Sequence, residues 1–577
     1  MLTRLIRQLF ARTSAPPRKA ELDESATLER ALECYRRGDH AGCERLCRLM
    51  LRREPDQAAA YGLLGALLTL QEQRLDEALA CLERAIALDP ANAEFHVNCG
   101  EACRRSGRLK RAVQCFETAL RIDPAAAGAW HNLALAEQTL GNMQAAVAAY
   151  RRALEFEPGN PGFHSGMLFT LGWCAGVDGS AMLAEHRRWA ALHADALTAQ
   201  APAHDNVADP ERTLRIGYVG AKFVAGFVAP ILTQHDRSRF RAVVYDNGSA
   251  DDADVLRLRG LADAWRQTGS MSDAAVAELI RSDGIDILVD LAGHTDRNRL
   301  LVFARKPAPL QASYLGYLNT LGMKAVGFRI TDGHADPQGV ADAYHEERLL
   351  RLPHSLWCFE PGGAAPEPGP LPALARGCIT FGSFNHLAKV DDEVRLLWSR
   401  LLQSVPGSRL LMVGVSAGEN CDRLRATFER HGIARGRLEI HGMLDYARYL
   451  EQYRQTDIAL DSFPYNGGTT TCDALWMGVP VITLAGTYGA ARSGVSLLSS
   501  VGLHELIAQT PEDYLAIARR LAAEPEALGT LRAGMRGRMR ASPLMDGAGF
   551  ARALEALYRG IWRDWCRARP GTLTPPA

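Results

Sequence analysis

The sequence predicts an α-helical solenoid followed by an α/β region made of two doubly wound, parallel-sheet lobes. Three observations carry that prediction. A 34-residue helical period runs through the first quarter of the chain. The texture changes near residue 213 to short β-type runs alternating with helices, and residues 458–484 read as a Gly-rich strand–turn–helix–strand. At 577 residues the chain is too long for one core and must divide into domains. Its 47% apolar and 23% charged content is that of globular protein, and its zero net charge gives no global field to recruit nucleic acid or an acidic membrane.

The period is marked by Pro55, Pro90, Pro124 and Pro158, each closing a helix after a segment such as CLERAIALDP, CFETALRIDP or YRRALEFEP. Gly65, Gly100 and Ala134 share one phase of it, and Ala85, Ala119 and Ala153 another. Period, Pro phase and small-residue phase together are the tetratricopeptide signature, in which helical hairpins bury their faces only against their neighbours and stack into a grooved solenoid. The repeats are assigned to 21–160, after a tail at 1–20 that frays before Pro16-Pro17 or forms a short basic amphipathic helix. Asn98 and Asn132 occupy equivalent groove positions, where side-chain amides suit an extended peptide backbone, although they could equally cap or solvate the inner helix.

Residues 161–212 read as a helical transition and a Pro- and Asp-containing linker. LRIGYVG, AVVYDN, IDILVDLAG and LQASYLGY then mark the strands of a first lobe over 213–372. CITFGSF, RLLMVGV, RLEIHG, DIALDSF and PVITL mark a second over 373–545. A Pro/Gly-rich join at 361–377 implies a cleft between the lobes, and an amphipathic helix within 546–577 is expected to pack back across them. The thirteen cysteines, with Cys43/Cys47 and Cys99/Cys103 at helical spacing and no CxxC pair, read as reduced, buried thiols of a cytoplasmic protein rather than a metal site. No apolar run reaches the ~18 residues of a membrane span, and the N-terminus lacks the apolar stretch of a secretory signal.

The chemistry concentrates in Asn466-Gly467-Gly468-Thr469-Thr470-Thr471-Cys472-Asp473. Gly467 and Gly468 allow close approach of backbone to a ligand. The Thr hydroxyls and the unpaired N–H groups of the helix that opens there offer a cradle for phosphate. Asp473 lies one turn beyond Thr469 on the same helix face, where a carboxylate suits two vicinal hydroxyls such as those of a ribose.

Repeats followed by FGSFNHLAK and LDSFPYNGGTTTCDALWMGVPVITL resemble the O-linked N-acetylglucosamine transferases and their SPINDLY-like relatives. The resemblance covers about residues 55–565 and implies two Rossmann-like lobes in the GT-B glycosyltransferase fold. It implies that GlcNAc passes from UDP-GlcNAc to Ser/Thr hydroxyls of a protein or peptide held in the repeat groove, with inversion and without a metal cofactor. GDP-fucose or UDP-glucose remain alternative donors. On the family motifs, Lys389 binds the donor diphosphate, Asn385 orients the loop or donor, Thr469 and Thr470 contact phosphate, and Asp473 holds the ribose. His164 takes the position of a family histidine considered as a base, and His294, after a strand of the first lobe, is a second proton acceptor. Arg492 is taken as structural.

The chain departs from the family where G-Y-V-S-x-D-F-x-x-H is usual: it carries Lys222 in place of the acid and Gly226 in place of the histidine. The G-Y-P-G-T-[TS]-G loop appears as Gly316–Gly322 with Leu318, Asn319 and Leu321 in place of the Pro, the second Gly and the Thr/Ser, a downstream Asp-Tyr pair as Gly327-Phe328, and a donor-side His as Tyr449. A degenerate, nucleotide-binding and peptide-binding scaffold is therefore the other reading. Asp252 and Asp254 read as a solvated loop rather than a D-x-D metal motif.

Overall fold

The structure, a computed structural model, describes residues 19–220, 225–248, 253–363, 365–415 and 418–569. The tail read over 1–20 lies outside the described residues apart from Lys19 and Ala20. The chain divides into two compact units, Met1–Phe163 with Ser416–Leu424 and His164–Val415 with Arg425–Ala577. Among the described residues no helix is long and apolar enough to cross a membrane.

The first unit is a stack of four helical hairpins: Lys19–Arg36 with His40–Arg53, Ala58–Thr69 with Leu75–Leu88, Ala93–Arg105 with Leu109–Ile122, and Ala127–Leu140 with Met143–Phe156. Each second helix stops just before its Pro, because the residue ahead of a proline is driven out of helical conformation; Asp89 ahead of Pro90 has φ −140°, ψ 82°. The small residues of the period, Ala78, Ala85, Ala112, Ala119, Ala146 and Ala153, are fully buried where the helices meet. Asn98 and Asn132 are half-buried on the first helices of successive repeats. In the third hairpin the sulfurs of Cys99, Cys103 and Cys115 lie within 4.8 Å of one another. Reading the chain linearly hid this group, since Cys115 arrives from the facing helix.

The second unit holds two wholly parallel sheets. The first contains β1 (Leu214–Gly220), β2 (Phe240–Asp246), β3 (Ala264–Gln267), β4 (Ile287–Asp290), β5 (Leu310–Ser313), β6 (Phe328–Asp332) and β7 (Arg348–Leu352), in the order β3-β2-β1-β4-β5-β6-β7. The second contains β8 (Thr380–Ser383), β9 (Arg409–Val413), β10 (Leu438–His441), β11 (Ile458–Leu460), β12 (Val481–Leu484) and β13 (Ile507–Ala508), in the order β10-β9-β8-β11-β12-β13. Strand order reverses between β1 and β4 and again between β8 and β11. Loops diverge at such a switch point and leave a crevice at the carboxyl ends of the strands.

The segment 161–212 is helical as far as Ala199 and packs against the first lobe. Its helices Pro161–Leu171 and Gly179–His193 send Leu168, Trp189 and Ala190 into the core of the first lobe, beside Val219, Leu288 and Phe303. Asn206 then donates to Asp286 at 2.8 Å. The helix Gly547–Arg567 leaves the second lobe and closes the outer face of the first. Glu555 accepts from His235 Nδ1 at 3.0 Å and from the Asp236 N–H at 2.8 Å, Arg559 donates to the Pro210 and Arg212 carbonyls, and Trp562 Nε1 donates to the Asp209 carbonyl at 2.9 Å. Trp562 is fully buried. Truncating it removes a large apolar volume and a hydrogen bond together, so Trp562→Ala is expected to cost about 3–5 kcal/mol. A shift of the chemical-denaturation midpoint measures it, and a loss below about 1 kcal/mol would contradict this docking.

Candidate active site

Loops from both switch points wall one cleft of about 570 Å³. From the first lobe come Leu291 and Asp296 after β4, and Leu315 and Gly316 after β5; from the second come Asn385, His386 and Lys389 after β8, and Tyr465 to Thr470 after β11.

The second-lobe wall is organised by Asp461 at the end of β11. Its carboxylate accepts from the N–H groups of Ser462 (2.9 Å) and Gly467 (2.7 Å), from Thr483 Oγ1 (2.7 Å) and from Asn385 Nδ2 (3.3 Å). Asn385 Oδ1 in turn accepts from Thr470 Oγ1 at 3.0 Å, which ties the β8 loop to the start of the helix Thr469–Trp476. Gly467 is required by crowding: a Cβ there would lie 2.3 Å from Thr470 Oγ1 and 2.8 Å from Asn385 Oδ1. Lys389 Nζ donates to the Asn466 carbonyl at 3.1 Å and sits 4.4 Å from the centroid of the Tyr465 ring. Desolvation in this wall pulls its pKa down to about 8, against the pull of the Asp461 carboxylate.

Thus Asn385, Lys389, Gly468, Thr469 and Thr470 are gathered on one wall, with Gly467 supporting the turn. Asp473 is not on it. It is buried one turn behind, where Tyr446 donates to it at 3.0 Å, and burial pushes its pKa up to about 6. The tyrosine bond engages one carboxylate oxygen, Oδ1. Tyr449, read in place of a donor-side histidine, pairs with the Tyr453 hydroxyl at 2.7 Å, and Tyr453 donates to the Thr470 carbonyl. Arg492 donates to the carbonyls of His334 and Gly486, a structural contact.

The two histidines expected as proton acceptors are also off the cleft wall. His164 is buried with its Nδ1 3.2 Å from His193 Nε2, and burial lowers its pKa to about 4. His294 is buried between Trp189, His186 and Tyr317, with Nδ1 3.0 Å from Ser165 Oγ. Burial also pushes its pKa well below the usual imidazole value. Both rings pack where the transition helices meet the first sheet, and neither lines the cleft. At Gly226 a Cβ would meet the Glu360 carbonyl at 2.7 Å, and the Glu360 N–H already donates to the Gly226 carbonyl. Packing therefore excludes a histidine there. Lys222 and Asp252 lie outside the described residues; Asp254 sits in the first turn of the helix Ala253–Leu261.

Sequence reasoning missed His386, Tyr465, Trp357 and Asp296, all of which line the cleft. His386 and Tyr465 sit inside motifs already singled out, so adjacency was the available signal. Trp357 and Asp296 carry none.

Two parallel-sheet lobes whose switch-point loops face one cleft, following tetratricopeptide repeats in the chain, define the GT-B fold. The chain belongs to glycosyl transferase family 41, which matches residues 164–360 and 371–554; tetratricopeptide repeats match 69–136 and 127–160. The protein is similar to the "Probable UDP-N-acetylglucosamine--peptide N-acetylglucosaminyltransferase SPINDLY" of Petunia hybrida, 40% identical over 375 residues, covering 63% of this chain and 40% of that protein. The corresponding SEC protein of Arabidopsis thaliana is 30% identical over 370 residues, covering 62% and 38%. Among solved structures, a mutant O-GlcNAc transferase of Thermobaculum terrenum superposes with a TM-score of 0.77 at 35% identity, covering 96% of this chain and 99% of that one. The chain spans about two-fifths of the length of the curated relatives it matches.

Lys389 sets a pH limit on anion binding. With its pKa lowered to about 8, the ammonium is charged below that pH and neutral above it. Affinity for a nucleoside diphosphate is expected to fall as pH rises from 7 to 9, and Lys389→Met to abolish that slope. Calorimetric titration at several pH values checks both, and an undiminished affinity at pH 9 would remove Lys389 from the anion site.

Proposed function

We propose that the protein is an inverting glycosyltransferase that moves GlcNAc from UDP-GlcNAc to Ser/Thr hydroxyls of a protein acceptor. The observation that carries the reading is the convergence of Lys389, Thr469, Thr470 and the helix start on one wall, opposite the loops of the other lobe. Fixed donors and a cation at that point stabilise the charge that develops on a departing diphosphate. In this reading they supply the countercharge, and transfer needs no metal ion. Names borne by relatives, peptide N-acetylglucosaminyltransferase and O-GlcNAc transferase, support the same donor and acceptor classes. Asn98 and Asn132 support a peptide in the repeat groove, since their side-chain amides make no hydrogen bond among the described residues and stay available for a backbone. The free thiols fit a reducing compartment such as the cytoplasm.

The withdrawn histidines and the closed space at Gly226 favour one competing reading, a scaffold that binds nucleotide without turning it over. Thermal unfolding with UDP or GDP, followed by transfer from UDP-GlcNAc with a chelator present, separates the readings. A ligand at ~100 times its Kd adds about 2.7 kcal/mol to native stability. Stabilisation by UDP with turnover supports the proposal, stabilisation by GDP alone redirects it to GDP-fucose, and stabilisation without turnover leaves the scaffold. Lys389→Ala is expected to lower kcat by about 10²-fold or more with the melting temperature of the free protein unchanged; full turnover in that variant would refute its role.

A further inference from the structure

With His164, His294 and position 226 excluded, an acceptor hydroxyl needs another group to take its proton. Four ionisable side chains line the cleft among the described residues: Asp296, His386, Lys389 and Tyr465. Three belong to the second lobe, on the side of the leaving diphosphate. Lys389 is a cation. Tyr465 lies beneath that cation and, buried, is a weaker acid than an ordinary phenol. His386 Nδ1 accepts the Ala388 N–H at 3.2 Å, so its remaining nitrogen, Nε2, carries the proton of the neutral ring. That ring can donate to phosphate and cannot receive a proton from the opposite side.

Asp296 is the exception in both lobe and chemistry. It stands on the first-lobe loop that leaves β4 at the switch point, on the wall facing Lys389 and the Thr pair. The loop is held rigidly: Asp290 accepts from the N–H groups of Ala292 (3.1 Å) and Gly293 (2.7 Å), Thr295 Oγ1 donates to the Ala292 carbonyl (2.8 Å), and Asn298 Nδ2 donates to the Thr295 carbonyl (3.0 Å). The Asp296 carboxylate itself makes no hydrogen bond or ion pair among the described residues. A fixed loop therefore presents an unengaged acceptor to the cleft.

The geometry points to Asp296 as the general base of the transfer, an assignment that rests on the glycosyltransferase reading above. As the acceptor oxygen forms its bond to the anomeric carbon, its proton passes to the Asp296 carboxylate. The anomeric carbon–oxygen bond to the diphosphate breaks on the other side, and its electron pair leaves with UDP beside Lys389. One C–O bond forms as another breaks, one proton passes from the acceptor oxygen to the carboxylate, no oxidant or metal is called for, and inversion follows from acceptor and leaving group occupying opposite walls.

The test measures UDP release from UDP-GlcNAc, with water and with a Ser/Thr peptide library as acceptors, for wild type, Asp296→Asn and Asp296→Glu. General-base removal predicts a kcat loss of about 10²–10⁴-fold in Asp296→Asn. KM for UDP-GlcNAc and the melting shift induced by UDP should be unchanged, Asp296→Glu should recover part of the rate, and the acidic limb of the wild-type kcat–pH profile should vanish in Asp296→Asn. An active wild type with Asp296→Asn within twofold of it, or with the acidic limb retained, overturns the base assignment alone. A wild type that UDP stabilises but that releases no UDP from UDP-GlcNAc overturns the transferase reading beneath it.

Discussion

The second-lobe wall of the cleft hangs from one carboxylate. Asp461 is almost completely buried, and burial raises its pKa to about 6 while the bonds it accepts and the nearby Lys389 cation oppose that rise. A carboxylate in such a place is stable only if its oxygens are filled. Filling them brings together strand β12 through Thr483, the β8 loop through Asn385, and the Gly-rich turn through Ser462 and Gly467. Lys389 then lies close enough to sense the same charge. The shape of the anion site is thus a by-product of satisfying a buried acid, and the residues on the cleft surface are the visible end of that network.

The burial that makes this wall rigid also removes candidates. Histidines near the first sheet are polar corners of an aromatic core: His186 Nδ1 meets the Met182 carbonyl at 2.6 Å, its Nε2 meets the Tyr317 hydroxyl at 2.7 Å, and His294 stacks edge-on against its neighbours. Desolvation keeps these rings neutral. They hold the transition helices to the first sheet, and the cleft is lined by groups at the loop tips.

The architecture was largely legible in the sequence because its signals are local. Helix-ending prolines and small residues in phase marked the repeats, and continuous apolar runs marked β1, β2, β4, β5, β8, β9 and β12. Strands β3, β6, β7 and β13 were not recognised. β6 reads FRITD, and its Arg329 and Asp332 look like surface residues, yet both are fully buried. Arg329 donates to the Tyr317 and Asn319 carbonyls, and Asp332 caps the following loop and takes the Leu356 N–H. Such pairing is invisible until the chain is folded. The grouping of Asn385, Lys389, Thr469 and Thr470 on one cleft wall was legible for the same reason as the repeats, since they lie in compact motifs. The Tyr446 bond to Asp473 could not be read from the motif, because Tyr446 arrives from a helix 27 residues earlier. Asp296 was missed because a single acid after a strand has no distinguishing neighbours.

The helix Gly547–Arg567 completes the first lobe from the far end of the second, with the Leu544 carbonyl accepting the Phe359 N–H just before it. During synthesis, β1 through β7 therefore emerge long before the segment that seals their outer face. Until residue 567 has left the ribosome, the apolar surface that Trp562 and Tyr558 will cover has no lid. The lobe made first is finished last, and a nascent chain must keep that surface from other partners for some two hundred residues of translation.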